Sequence, residues 1–446
     1  MRTLSRAARN VLLATTTAAL LAPAAATSAS GAAPTTAALT SPSQSGTAVA
    51  RTNAQERRQI DLHRFDGQRQ FRNGRFAGTR AVRGVLELAT PVGKRRYVDP
   101  HGYRTKRYEF GRWFSPWRRP GFAFDQLVPS WDATTPRDSW VQIQVRGRSE
   151  TGRVSKWYTM ANWSAGDRRF HRTSLGPQTD NLAQVDVDTL KTRYSMGLTA
   201  WQMRITLLRR AGTKAVPRVD TVGAMTSFLP SVTRVRASRP GVARGITLEL
   251  PGFSQMIHEG HYPEYDSGGE AWCSPTSVSM VLGRLGRLPS QREYSWVPAD
   301  HPDRWVDHAA RSHYDYAYDG AGNWAFSAAY AARHADDAFV TRLRNLREAE
   351  RFVRAGIPLV ASVKFGPGEL DGAPLGSTNG HLLVIVGFTE TGDVVVNDPA
   401  APDNGSVVRT YDRGQFENAW IPKSGGLVYV VRNDDTPLPE TRTKNW

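Results

Sequence analysis

The chain runs to 446 residues, with 58 Lys and Arg against 41 Asp and Glu, a net charge of +17 at pH 7 and one cysteine. That length accommodates two domains with cores of their own, and one cysteine excludes any internal disulfide. The basic balance comes without a nucleic-acid-binding signature, so no nucleic acid is expected as a partner.

Taken in order, residues 1–29 read as a secretory signal. Arg2, Arg6 and Arg9 precede a short apolar run from Val11 to Leu21 and then small residues suited to cleavage. The run falls short of the roughly 20 residues a bilayer-spanning helix needs, and no later stretch is longer and apolar, so no transmembrane segment is expected once the signal is removed. A twin-arginine pair is absent, as is a cysteine for a lipid anchor. The expected location is extracellular. Residues 30–59, rich in Ala, Thr, Ser and Pro, cannot bury a core and read as a flexible leader.

Residues 60–233 change to short alternating runs separated by turn residues. Examples lie at 140–146, 157–160, 183–188 and 201–208. This pattern predicts an antiparallel β-sandwich or jelly roll. Trp113, Trp117, Trp131, Trp140, Trp157, Trp163 and Trp201 all fall here, and most of them are expected to fill the sandwich core rather than form a sugar-stacking face. Charge separates the halves. Residues 1–245 carry 40 Lys and Arg against 15 Asp and Glu, an excess of +25; residues 246–446 carry 18 against 26, a deficit of −8. A basic module on a mildly acidic one suits attachment to an anionic cell-wall polymer, or else is only a solvated face.

Residues 234–250 read as a linker, residues 251–432 as a second domain of mixed helix and strand, and residues 433–446 as a tail. Within the second domain, a helix is predicted to open near Cys273-Ser274-Pro275, with Ser274 as its cap. A loop-rich aromatic region follows at 294–318. Helices are predicted around 323–334 and 346–355, then strands at 359–365, 381–388, 394–397, 407–411 and 427–431. The whole is an α+β fold with an all-β first half.

Three stretches of the second half carry chemistry. Cys273 at a helix N-terminus lies where unpaired N–H groups and the macrodipole favour a thiolate. His381 begins one predicted strand and Asp398 follows the next, so a hairpin brings them side by side. A cysteine with a distant His–Asp pair is the arrangement for thiolate catalysis, the imidazole taking the thiol proton and the carboxylate orienting the imidazole. Asn397 is the rival orienter, since adjacent strand residues point to opposite faces. His258 and His261 stand at His-x-x-His spacing, not the i, i+4 spacing of a zinc helix, and Pro263 follows, so neither a metal nor another cofactor is expected. No Gly-x-Ser-x-Gly elbow is present.

Trp272-Cys273-Ser274-Pro275, Gly380-His381 and Asn397-Asp398-Pro399, in that order, resemble the papain-like peptidases that process double-glycine bacteriocin leaders, in particular their secreted peptidase-like relatives. The resemblance covers about residues 252–431. It implies a papain-like fold, a peptide or protein substrate, and Gln255 as the glutamine whose amide helps bind the oxyanion. One departure is Ser274, where the family carries glycine. The expected function is a secreted cysteine peptidase acting through Cys273, His381, Asp398 and Gln255. The alternatives are a peptidoglycan amidase or endopeptidase with the same triad, and an inactive binding protein on this scaffold.

Overall fold

The computed structural model describes residues 58–102, 105–193 and 197–446. The predicted signal and nearly all of the leader lie outside the described residues. Among those described, no helix is long and apolar enough to cross a membrane.

The first half is two antiparallel sheets laid face to face. One runs, in spatial order, Gln178–Thr179, Ala183–Asp186, Thr189–Thr192, Gln126–Thr134, Arg218–Phe228, Val85–Leu88 and Thr79–Val82, with Gln59–Asp66 also paired to Arg218–Phe228. The other runs Arg75–Ala77, Lys106–Phe114, Ala200–Arg210, Ser139–Arg148 and Tyr158–Trp163, with Gly93–Tyr97 beside Lys106–Phe114. Alternate residues of the long strands (Val141, Ile143 and Val145 facing Trp201, Met203, Ile205 and Leu207) meet Trp113, Trp131 and Trp163 between the sheets. The period of 2 in the sequence is this inward set. Four of the seven tryptophans, Trp113, Trp131, Trp163 and Trp201, are in this core; Trp140 is buried in a smaller cluster with Tyr108, Phe170 and Leu208, and Trp117 and Trp157 stay half-buried. A short helix, α1 (Gly67–Arg72), closes one corner, with Phe71 buried against Trp113.

The second half is built on a six-stranded antiparallel sheet ordered Asp337–Arg342, Leu427–Arg432, Leu359–Phe365, Thr378–Phe388, Val394–Asn397 and Val408–Tyr411. It is covered on both faces, so its central strand reads as a continuous apolar run. Along that strand Leu382, Val384 and Val386 turn to the face holding helix α2 (Cys273–Arg284), while Leu383 and Ile385 turn to the face holding α5 (Leu346–Arg354) and α6 (Arg413–Ser424). Two more helices, α3 (Arg304–His313) and α4 (Trp324–Ala332), pack beside α2. This is the papain-like arrangement, an α+β domain following an all-β one. Asn323 and Asn345 cap α4 and α5 through their side chains.

Two helices depart from the sequence reading. The 294–318 region contains α3, entered through Asp303 in a left-handed conformation with no side-chain cap, so the usual start signal is missing. Helix α6 was not foreseen because Gly414 and Pro422 lie inside its span; Asp412 caps it and Gly425, at φ 76°, ends it.

The two halves share their interior. Phe326 and Ala329 of α4 belong to the sandwich core, Trp131 meeting Phe326 ring to ring at 6.0 Å. Val128 and Met225 of the sandwich belong in turn to the core around α2. Arg64 is paired with Asp337, and Arg172, fully buried, donates to the carbonyls of Arg311 and Tyr314. Residues 234–250 contain neither helix nor strand, and they are pinned to the second half. Ser238 donates from backbone and hydroxyl to Glu417, and Thr247 bridges Gly387.

Candidate active site

Helix α2 begins at Cys273 itself. The Thr276 N–H already bonds the Trp272 carbonyl at 3.0 Å, so Trp272 is the cap and Ser274 lies inside the first turn. The expected Ser274 cap is corrected: its hydroxyl is buried and faces the Ser327 hydroxyl at 2.9 Å and the Tyr429 hydroxyl at 3.3 Å. The residue standing where the family carries glycine thus ties α2 to α4 and to the central sheet. The first-turn N–H groups of α2, that of Cys273 among them, have no acceptor within the helix. Cys273 is partly exposed; the nine residues that follow it, Ser274 to Leu282, are all buried.

His381 sits in the central strand beside Val363, and its Nε2 is 2.7 Å from Asp398 Oδ1. The Cys273 thiol is close enough to act on the same ring, whose Nδ1 is left free by the bond to Asp398. Asp398 is held on every side: Oδ2 accepts from the Tyr411 hydroxyl at 2.7 Å, Oδ1 from the Ala400 N–H at 3.0 Å. Asn397 points the other way, its amide 3.6 Å from the Met280 sulfur in the core. Alternation along the strand makes this choice.

The ionisation of the pair follows from these contacts. Burial by itself would lower His381; the Asp398 carboxylate, by charge and hydrogen bond, and the Cys273 thiol more than reverse that, and the imidazole is pushed up to about 10. Burial would raise Asp398; the His381 charge, the Tyr411 hydroxyl and the Ala400 N–H outweigh it and hold the carboxyl below its usual range. Both directions favour an imidazolium beside a carboxylate.

Gln255 is buried on the far side of the cysteine. Its backbone N–H bonds the Pro399 carbonyl at 2.8 Å, tying it to the turn that carries Asp398. One N–H of its side-chain amide is donated to the Glu270 carbonyl, and its Oε1 has no partner. The second amide N–H remains for the cleft. Gly268 and Gly269 make the approach to Cys273 possible: a Cβ on Gly269 would stand 2.2 Å from the His258 backbone.

Cys273, His381 and Gln255 open onto a cleft of about 590 Å³. Its opposite wall comes from the sandwich, chiefly the hairpin Ala183–Asp186 and Thr189–Thr192 with Val187 and Asp188 at its turn. Asp188 is anchored by accepting from the Trp324 N–H at 2.7 Å, at the start of α4. Sequence reasoning did not bring this hairpin to the site, and it missed Tyr411 and the Ser274 contacts. Tyr411 is opposite Val394 in its ladder, so strand register gave no hint that it reaches Asp398.

Residues 61–227 match the Peptidase C39 N-terminal domain family, and residues 247–427 match the Peptidase_C39 like family. The chain resembles the C39-type cysteine peptidases. The second match indicates a peptidase, with peptide as the substrate class that family implies. A search of the curated proteins found no match.

Proposed function

We propose that this C39-like protein is a secreted cysteine peptidase in which Cys273 is the nucleophile, His381 the base and Asp398 its orienter. The observation that carries the reading is the His381 ring, its Nε2 2.7 Å from Asp398 Oδ1, lining one cleft with Cys273. The thiolate attacks the scissile carbonyl, and the oxyanion is met by the Cys273 N–H and the free N–H of the Gln255 amide. The imidazolium gives its proton to the departing amine, leaving a thioester on Cys273. Water, deprotonated by the now neutral His381, releases the acid and restores the thiol.

A peptidase reading is favoured over a retired scaffold because nucleophile, base and oxyanion donor all line one cleft, with the orienter buried and bonded to the base. The basic sandwich favours a site of action at an anionic wall, where cross-linking peptides of peptidoglycan are the alternative substrate. Full-length protein should hydrolyse casein-derived peptides or purified wall, and Cys273→Ala should abolish hydrolysis of either with an unchanged circular dichroism spectrum. Undiminished turnover by Cys273→Ala overturns the reading. Release of amines from wall with none from peptides would move the substrate to the cross-link.

A further inference from the structure

A second cluster of ligating groups lies outside the residues that line the cleft. His258, His261 and Asp307 each offer one atom, all within 4.8 Å of one another. His261 Nδ1 is 2.9 Å from Asp307 Oδ1, and His258 Nδ1 is 3.1 Å from Asp307 Oδ2. His301 brings a third imidazole, its Nδ1 3.3 Å from Asp307 Oδ1 and its ring stacked on His261 at 3.7 Å.

His258 and Asp307 are both 0% exposed. Neither ring nitrogen of His258 has a hydrogen-bond partner, and neither does Asp307 Oδ2. Their 3.1 Å approach is thus a close contact off the line that a hydrogen bond requires. Buried polar atoms left so are rare and costly, which calls for a group that satisfies them. Ligands about 2.0–2.2 Å from a tetrahedral zinc stand roughly 3.3–3.5 Å apart, close to the separations seen here. Imidazole and carboxylate donors suit zinc; calcium and magnesium favour all-oxygen shells.

We propose that His258, His261 and Asp307 bind one zinc ion, with His301 at the fourth position. The His-x-x-His spacing, too short for one helix face, suits the actual backbone: His258 ends a 3₁₀ turn (Met256–His258), His261 lies in the loop beyond it, and Asp307 comes from α3. The role is structural. His258 follows Gln255 by three residues and packs against Trp272, ring centroids 5.9 Å apart, so the ion would lock to α3 the loop that carries the oxyanion donor and leads into Cys273.

The test uses the full chain carrying Cys273→Ala, so that the single thiol cannot take metal. After chelation and gel filtration, one equivalent of added Zn²⁺ should remain with the protein and raise Tm. Co²⁺ in its place should give the visible absorption bands of a tetrahedral site. His261→Gln, at a half-buried position, should bind zinc more weakly by at least the roughly 10–100-fold that disturbing an outer shell costs. Should that variant not fold, His301→Gln serves as the second arm, and the cobalt spectrum of the parent stands independently. No retained zinc and no cobalt bands in the parent, or zinc retained undiminished when His261 or His301 is replaced, overturns the proposal.

Discussion

At the residue scale the chemistry turns on how firmly His381 keeps its second proton. Its pKa is pushed up to about 10 against an ordinary value near 6.5, so the charged form is the one the fold stabilises. The sign follows: the stabilisation is complete below about 6.5 and is lost as pH rises through about 10. For Asp398, depressed in the fold, stabilisation holds above about 3.9 and is lost as pH falls. Asp398→Asn removes the charge that sustains the imidazolium. Alkylation of Cys273 by iodoacetamide should then slow several-fold at about pH 6 while changing little near pH 9, where a free thiol already ionises. A profile unchanged by Asp398→Asn would strip Asp398 of its orienting role. Cys273, His381 and Asp398 were legible as candidates in the sequence because Cys273 opens a helix, His381 heads an apolar run and Asp398 follows a strand end. Tyr411 and Ser274 were not, because their roles come from tertiary neighbours with no mark on local pattern.

At the element scale, five of the six strands of the second-half sheet were legible to within about three residues, since a sheet covered on both faces writes unbroken apolar runs such as Leu382–Phe388; the edge strand Asp337–Arg342 was not foreseen. Helix α3 was not, for its start lies at a left-handed aspartate. The hairpin facing the cysteine was half legible. Its first run was expected at 183–188, but the strand ends at Asp186, and Val187 and Asp188 form the turn. Val187 adopts φ 51°, a conformation in which β-branched residues are strained by about 1–3 kcal/mol and in which two-residue hairpins favour glycine. Its side chain lines the cleft. A costly residue held at the rim of a site points to contact with substrate. Val187→Gly should therefore raise stability by about 1 kcal/mol, read as a higher Tm, while raising KM and leaving kcat nearly unchanged. A higher Tm with an unaltered KM would make the valine a structural accident and remove the sandwich from substrate selection.

At the scale of the whole molecule, composition and charge distinguish two halves, but neither could reveal a shared interior. Trp131 against Phe326 and Arg342 reaching Gln126 and Ser227 are pairs separated by about 100 to 200 residues or more, beyond any local pattern. The wall-binding idea is accordingly tested on the intact chain. Its most concrete locus is a hollow of about 500 Å³ on the sandwich, lined by Arg75, Phe114, Arg146 and Trp157. Arg146 lies over both Trp117 and Trp157, at 5.0 and 4.5 Å, and Arg148 lies over Trp117 at 4.0 Å. Among the described residues no carboxylate forms an ion pair with Arg75, Arg146 or Arg148. Cations without counter-ions beside aromatic faces suit a polymer that carries both phosphate and sugar. Inactive Cys273→Ala protein should sediment with purified anionic wall at low salt and be released as the screening length shortens from about 10 Å at 0.1 M to about 3 Å at 1 M. Replacing Arg75, Arg146 and Arg148 together by alanine should cut retention several-fold at low salt, with Tm near that of the parent. Retention that ignores salt would place the contact on Trp117 and Trp157 rather than on charge. Protein left in the supernatant at every salt concentration would reduce the +25 excess to a solvated face.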